Sequence, residues 1–214
     1  MHVRDVPALD LAALLCSRVC HDIISPVGAI SNGLEVLAEE DSEEMRTIAQ
    51  ELIVKSARNA SAKLQFARLA FGAAGSAGAQ IDIGDAQKVA FGYFESEKSE
   101  LSWEAPRVLM GKNKVKLLLN LLMIAISTIP RGGKIDVLVE GEAETPLFTL
   151  KCQGRRARIP ANVEALLSGQ NEPTEIDAHA VQPYYAGALA RDTGMEIKMV
   201  LIEELVTITS AIKT

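Results

Sequence analysis

The feature that most constrains this chain is a run of apolar or small residues at Cys16, Cys20, Ile23, Val27, Ile30, Leu34 and Leu37, spaced in alternating steps of four and three. Such spacing keeps side chains on one stripe of an α-helix and is the seam of a bundle helix. It predicts a helix over about 7–39. The pattern breaks at Asp41-Ser42-Glu43-Glu44, where a capping residue precedes glutamates, and a second seam then runs through Leu52 or Ile53, Ala57, Ala60, Leu64, Ala67 and Phe71. Two antiparallel helices joined by a short turn are expected. A lone helical hairpin cannot cover its own apolar stripe. Self-association into a dimeric four-helix bundle satisfies it, and regular seams favour that solution. Docking on the C-terminal half of the same chain is the alternative and leaves a monomer.

Small residues over 72–79 cannot hold a helix face together, so 73–79 reads as a linker between a hairpin at 1–72 and a second domain at 80–214. In the second domain short strands alternate with helices: a strand at 81–83, a helix from Asp85, a strand at 101–103 and a strongly apolar helix around 114–129. Gly132-Gly133 turns into paired strands at 134–139 and 148–152, a helix near 181–191 follows, and strands at 196–201 and 206–212 close the sheet. The fold class is α+β, a helical hairpin followed by an α/β two-layer sandwich.

A net charge of -6 argues against nucleic acid as the main partner, since phosphate binding uses a basic surface. Cys16, Cys20 and Cys152 are odd in number, and the first two fall four apart on the seam, which suits burial rather than a disulfide framework and fits a reducing cytoplasm. The first residues lack a basic stretch followed by an apolar signal core, and no segment reaches the roughly 18 uncharged apolar residues of a membrane span. A soluble cytoplasmic protein with no membrane contact is the expectation.

Chemistry concentrates in His21-Asp22-Ile23-Ile24-Ser25-Pro26. An imidazole titrates near neutrality, with an ordinary pKa of about 6.5, so it offers a nucleophilic nitrogen without an activating base. His21 lies off the seam, on the same face as Ser25 and Gly28. Asp22 is placed to orient one ring nitrogen so that the other attacks, Ser25 offers a small hydroxyl on the same side, and Pro26 removes a backbone hydrogen bond and bends the axis. Gly28 costs about 1 kcal/mol relative to alanine in a helix, which close approach by another molecule would explain. An ordinary polar surface pair accounts equally for His21-Asp22 by spacing alone. His2 and His179 have no comparable setting.

These residues resemble the phosphoacceptor box of sensor histidine kinases, in which an acid follows the histidine and a small polar residue precedes proline. In those kinases the hairpin dimerises and an ATP-binding sandwich follows, the same order of parts. This chain departs from them where nucleotide is held. Its Asn120-Leu121-Leu122-Met123-Ile124-Ala125 is similar to the kinase asparagine box, but Ile124 stands where the second asparagine would hold Mg²⁺, and an isoleucine cannot ligate a hard cation. Arg155-Arg156-Ala157-Arg158 follows the strand where an aspartate and spaced glycines would recognise adenine, and Tyr184-Tyr185 would obstruct a glycine-rich phosphate lid.

With a phosphoacceptor box and no nucleotide machinery, the chain resembles the dimeric histidine phosphotransferases of the alphaproteobacterial cell-cycle phosphorelay. The resemblance implies that His21 takes a phosphoryl group from the receiver domain of a CckA-like hybrid kinase and passes it to the receivers of CtrA-like and CpdR-like response regulators. No cofactor of its own is implied, because each receiver brings its aspartate and Mg²⁺. Receiver docking is expected on Ile24, Gly28, Ser31 and Asn32, with Arg58, Ser61, Ala62 and Gln65 of the second helix opposite. Arg155, Arg156 and Arg158 are either a solvated patch or part of a docking surface for an acidic receiver pocket. A working kinase with divergent nucleotide boxes and a non-catalytic receiver-binding adaptor are the alternatives.

Overall fold

The computed structural model describes residues 6–72, 79–169, 176–178 and 180–213. Two long helices open it, α1 (Ala8–Glu39) and α2 (Glu43–Ala70). Ser42 caps α2 by accepting from the Met45 N–H at 3.5 Å, and Glu43 and Glu44 occupy the first turn, where negative charge suits the helix dipole. Arg46 closes the turn by donating through Nη1 to the carbonyls of Leu37 and Glu40, at the C-terminal end of α1. The two helices cross at Gly33, where an added Cβ would sit 2.6 Å from Ile53 Cγ1 and 3.3 Å from the Ala49 carbonyl oxygen.

The second part runs β1 (Gln80–Asp82), α3 (Ile83–Phe94), β2 (Ser99–Glu104), β3 (Leu109–Gly111), α4 (Lys112–Thr128), β4 (Gly133–Glu140), β5 (Leu147–Gln153), α5 (Val163–Ser168), α6 (Val181–Asp192), β6 (Met195–Ile202) and β7 (Leu205–Ile212). Five strands form one sheet in the order β2-β4-β5-β7-β6, parallel between β2 and β4 and antiparallel elsewhere. β1 and β3 make a separate two-stranded ribbon. The turn into β4 needs its glycines: Gly132 and Gly133 have φ of 84° and 147°, and a Cβ on either would strike the carbonyl of Lys98 or Gln153. α4 is apolar nearly all round because it is enclosed nearly all round, by the sheet residues Ile135, Val137, Phe148, Leu150 and Ile208 on one side and by α2 and α6 on the other.

The single chain covers its hairpin only in part. Part of it docks on the chain's own second domain. Leu11, Leu14 and Leu15 pack on a cluster of Val6, Leu166, Ile176, Val181 and Tyr184, the Tyr184 hydroxyl accepts from the Val6 N–H at 2.9 Å, and the Phe66 and Tyr93 rings lie 4.6 Å apart. Much of each seam stays open. Cys16, Cys20, Val27 and Leu34 on α1 and Ala57 and Leu64 on α2 are exposed, although the spacing read them as core. Of the expected seams Ala60 is buried, and the other packed residues are Pro26 and Gly33 on α1 and Ala49, Ser56, Phe66 and Ala70 on α2. The reason is geometric: the packed face and the seam lie about a third of a turn apart on α1, and one neighbour cannot cover both.

By length and composition alone α1 could cross a membrane. Its Arg18–Asp22 ion pair and its close crossing with α2 are features of a bundle helix. Most of the expected linker, together with His2 and His179, lies outside the described residues. β3 and α5 are additions to the elements that periodicity predicted, being only 3 and 6 residues long.

Candidate functional site

His21 projects from the middle of α1 with 61% of its side chain exposed, about a third of a turn away from the open apolar seam. It can therefore meet a partner while the seam meets another surface. Asp22 next to it is largely covered, at 17% exposure, and its two oxygens face different partners. Oδ1 lies 3.5 Å from His21 Nδ1, and Oδ2 accepts from Arg18 Nε at 3.0 Å. The contact to the ring is long for a hydrogen bond, as such contacts often are before a partner is bound. With Nδ1 turned to a carboxylate, Nε2 is the nitrogen placed to react.

Pro26 sits one turn on, buried, and α1 runs through it unbroken. Lacking an N–H, it leaves the Asp22 carbonyl without its intrahelical donor. Ile24, Ser25, Gly28, Ser31 and Asn32 are all exposed, and nothing lies within 4 Å of a Cβ placed on Gly28. The fold thus has no steric use for that glycine, in contrast to Gly33. Arg58, Ser61 and Gln65 are exposed and Ala62 approaches Gly92, but helical periodicity turns all four away from α1, so they do not form the opposite wall expected for them.

Arg18 is the residue that sequence reading missed. Its spacing of four from Asp22 was the available signal. It lines a cavity of about 770 Å³ between the hairpin and the second domain, with Tyr93, Met123, Ile124, Ser127, Asn162 and Gln182 among the walls. Tyr93 is buried there, and burial first, then the charges of Glu97 and Asp22, push its hydroxyl well above the tyrosine range, opposed by Arg18. It is a neutral wall.

Of the side chains that resemble the kinase asparagine box, Ile124 offers a metal no ligating atom and Asn120 is fully buried. Ile124 is 1% exposed and apolar, and the Asn120 amide donates to the carbonyls of Ala70 at 3.1 Å and Lys116 at 2.9 Å, tying α4 to the end of α2. Where a kinase would carry its phosphate lid, Tyr184 and Tyr185 belong to α6, Tyr184 being buried in the cluster that holds the start of α1. Arg155, Arg156 and Arg158 are exposed on the loop after β5, Arg156 with a φ of 62° and its N–H donating to Glu204 Oε1 at 3.2 Å. They lie on the second domain, apart from the residues of α1.

Residues 83–204 match the model of the histidine phosphotransferase C-terminal domain. The chain is also 59% identical over 192 residues to the protein phosphotransferase ChpT of Brucella abortus (strain 2308), covering 90% of each. This chain belongs to the histidine phosphotransferases. A bacterial phosphotransferase solved at 1.7 Å superposes on it with a TM-score of 0.90 at 52% identity, over 98% of this chain and 100% of that one. The histidine kinase AdeS of Acinetobacter baumannii is a far more distant neighbour, at a TM-score of 0.48 and 10% identity over 90% of this chain and 97% of that one. The phosphotransferase reading of the chain stands, and the partners of such a protein are receiver domains in a phosphorelay.

Proposed function

We propose that His21 is the phosphoacceptor and that the protein relays a phosphoryl group between receiver domains without using ATP. Nε2 attacks the phosphorus of a receiver's aspartyl phosphate in line, the P–O bond to that aspartate breaks, and the carboxylate leaves with the bonding electrons. The positive charge this puts on the ring is offset by Asp22 beside Nδ1. Delivery to a second receiver reverses the step, with an aspartate oxygen attacking and Nε2 departing. Ser25, small and exposed on the same face, lets the receiver's loops approach. The protein holds no metal of its own in this scheme; each receiver supplies Mg²⁺.

The observation that carries this reading is the pairing of an exposed imidazole with a covered carboxylate, on a helix face distinct from the open seam. Support for doing without ATP comes from Ile124, which has no ligating atom, and from the full burial of Asn120 in the core. The exposed seams of α1 and α2 favour a homodimeric four-helix bundle, leaving His21 of each copy outward. Receivers dock on Ile24, Gly28, Ser31 and Asn32, with Arg155, Arg156 and Arg158 adding positive charge towards their acidic pockets. CckA-like donors and CtrA-like and CpdR-like acceptors, in the cytoplasm, are the partners that family membership suggests.

His21→Ala tests the reading against both alternatives. The variant is expected to bind receivers and transfer nothing, whereas an adaptor would keep its whole activity. Labelled ATP given to the wild-type protein alone is expected to leave it unlabelled; a labelled His21 would instead make it a kinase.

A further inference from the structure

We infer that Arg18 is a positioning residue for phosphotransfer: it holds the Asp22 carboxylate in the orientation that serves His21, and it links that hold to the seating of the hairpin on the second domain. The inference rests on His21 being the acceptor. Its geometry is a carboxylate shared between two neighbours, Arg18 Nε at 3.0 Å on Oδ2 and His21 Nδ1 at 3.5 Å on Oδ1. Neither member of the Arg18–Asp22 pair is a solvated surface charge, since their side chains are 20% and 17% exposed. Helix stabilisation is the smaller part of what the pair can do, because an acid four residues before a base is the favoured order and here the base comes first.

Arg18 also reaches beyond its own helix. It lines the cavity against the second domain with Tyr93, Ile124 and Gln182. Its charge and that of Asp22 act in opposite senses on the buried Tyr93 hydroxyl, which places all three groups in one electrostatic neighbourhood. Remove the guanidinium, and a largely covered carboxylate loses its cation. Asp22 then gains by turning outward to water, away from Nδ1, and the ring loses the contact that selects Nε2 as the nucleophile.

The test measures the rate of phosphoryl transfer from a phosphorylated receiver to wild type, Arg18→Ala, Arg18→Lys, Asp22→Asn and the double variant Arg18→Ala/Asp22→Asn. Receiver affinity and the His21 ring tautomer, by nitrogen NMR, are followed in each. Arg18→Ala is expected to slow transfer about ten- to a hundredfold, leave receiver affinity unchanged and raise the fraction of ring with its proton on Nε2. Arg18→Lys should restore part of the rate, and the double variant should be no slower than Asp22→Asn alone. Wild-type rate and tautomer in Arg18→Ala would overturn the inference, as would a double variant slowed by the product of the two single effects. If Arg18→Ala melts early, Arg18→Gln keeps the stem packed and carries the same expectations. Label mapping to a residue other than His21 in the wild type would overturn the acceptor assignment instead, so the two failures are distinguishable.

Discussion

Two glycines on α1 separate what the fold needs from what a partner needs. A Cβ on Gly33 would lie 2.6 Å from Ile53 Cγ1, about 1 Å inside an ordinary carbon–carbon contact. Ile53 is branched at Cβ and cannot swing aside, and the Ala49 carbonyl at 3.3 Å blocks the other direction, so Gly33→Ala must push the helices apart. Overpacking of this kind costs about 1–3 kcal/mol, against about 1 kcal/mol gained in helix propensity, for a net loss of up to about 2 kcal/mol. Gly28→Ala meets nothing within 4 Å and keeps the propensity gain, about 1 kcal/mol in favour. At about 2–4 °C per kcal/mol for a chain of this size, Gly28→Ala should melt above the wild type and Gly33→Ala at or below it. Thermal unfolding at one protein concentration checks this, because an oligomer's melting temperature depends on concentration. Receiver binding should respond in the reverse sense: Gly28→Ala, more stable, puts a methyl group into the docking face and weakens binding, while Gly33→Ala leaves that face alone. A Gly28→Ala protein that is destabilised, or that binds receivers as wild type does, would refute the division; so would a Gly33→Ala protein stabilised as much as Gly28→Ala.

Alkylation of the thiols should report the bundle, with Cys16 and Cys20 reactive in monomer and protected in a dimer. Cys152, whose thiol burial pushes up to about 12, should stay unmodified until the protein unfolds; mass spectrometry at two protein concentrations reads all three. Reversal of Arg155 and Arg156 to glutamate should lower receiver affinity and flatten its salt dependence, measured by titration at two ionic strengths. Lys116 is 7% exposed, and burial, aided by Lys112, lowers its pKa. A lysine with a lowered folded pKa destabilises the protein fully below that value and is relieved as pH rises towards the ordinary lysine range. Lys116→Met should therefore raise the urea midpoint at neutral pH, by an amount that shrinks towards about pH 10.

The hairpin was legible because its signals are periodic and long: the seam predicts a helix at about 7–39 and α1 is Ala8–Glu39, and Ser42 caps α2 where the break was read. What the seam cannot say is which partner it faces. Cys16 and Cys20 follow the core spacing and are nevertheless exposed in the single chain, because the residues that pack within it, such as Pro26 and Gly33, form a second, less hydrophobic stripe. Hydropathy does not mark a proline or a glycine as core. β3 and α5 escaped for a different reason, being too short to show a period. His21 and Asp22 stood out as a motif that carries chemistry. Arg18 did not, because its role depends on a cavity closed by Tyr93 and Ile124, distant in sequence.

The central claim is a phosphoryl group on His21 that arrives from a receiver and leaves to another. Mixing the protein with a receiver carrying labelled aspartyl phosphate, then mapping the acid-labile label by peptide analysis before and after a second receiver is added, tests it most directly. The account predicts label on the peptide containing His21, lost to the second receiver on its addition. Label on any other residue, or none on this protein while the second receiver becomes labelled, would contradict it.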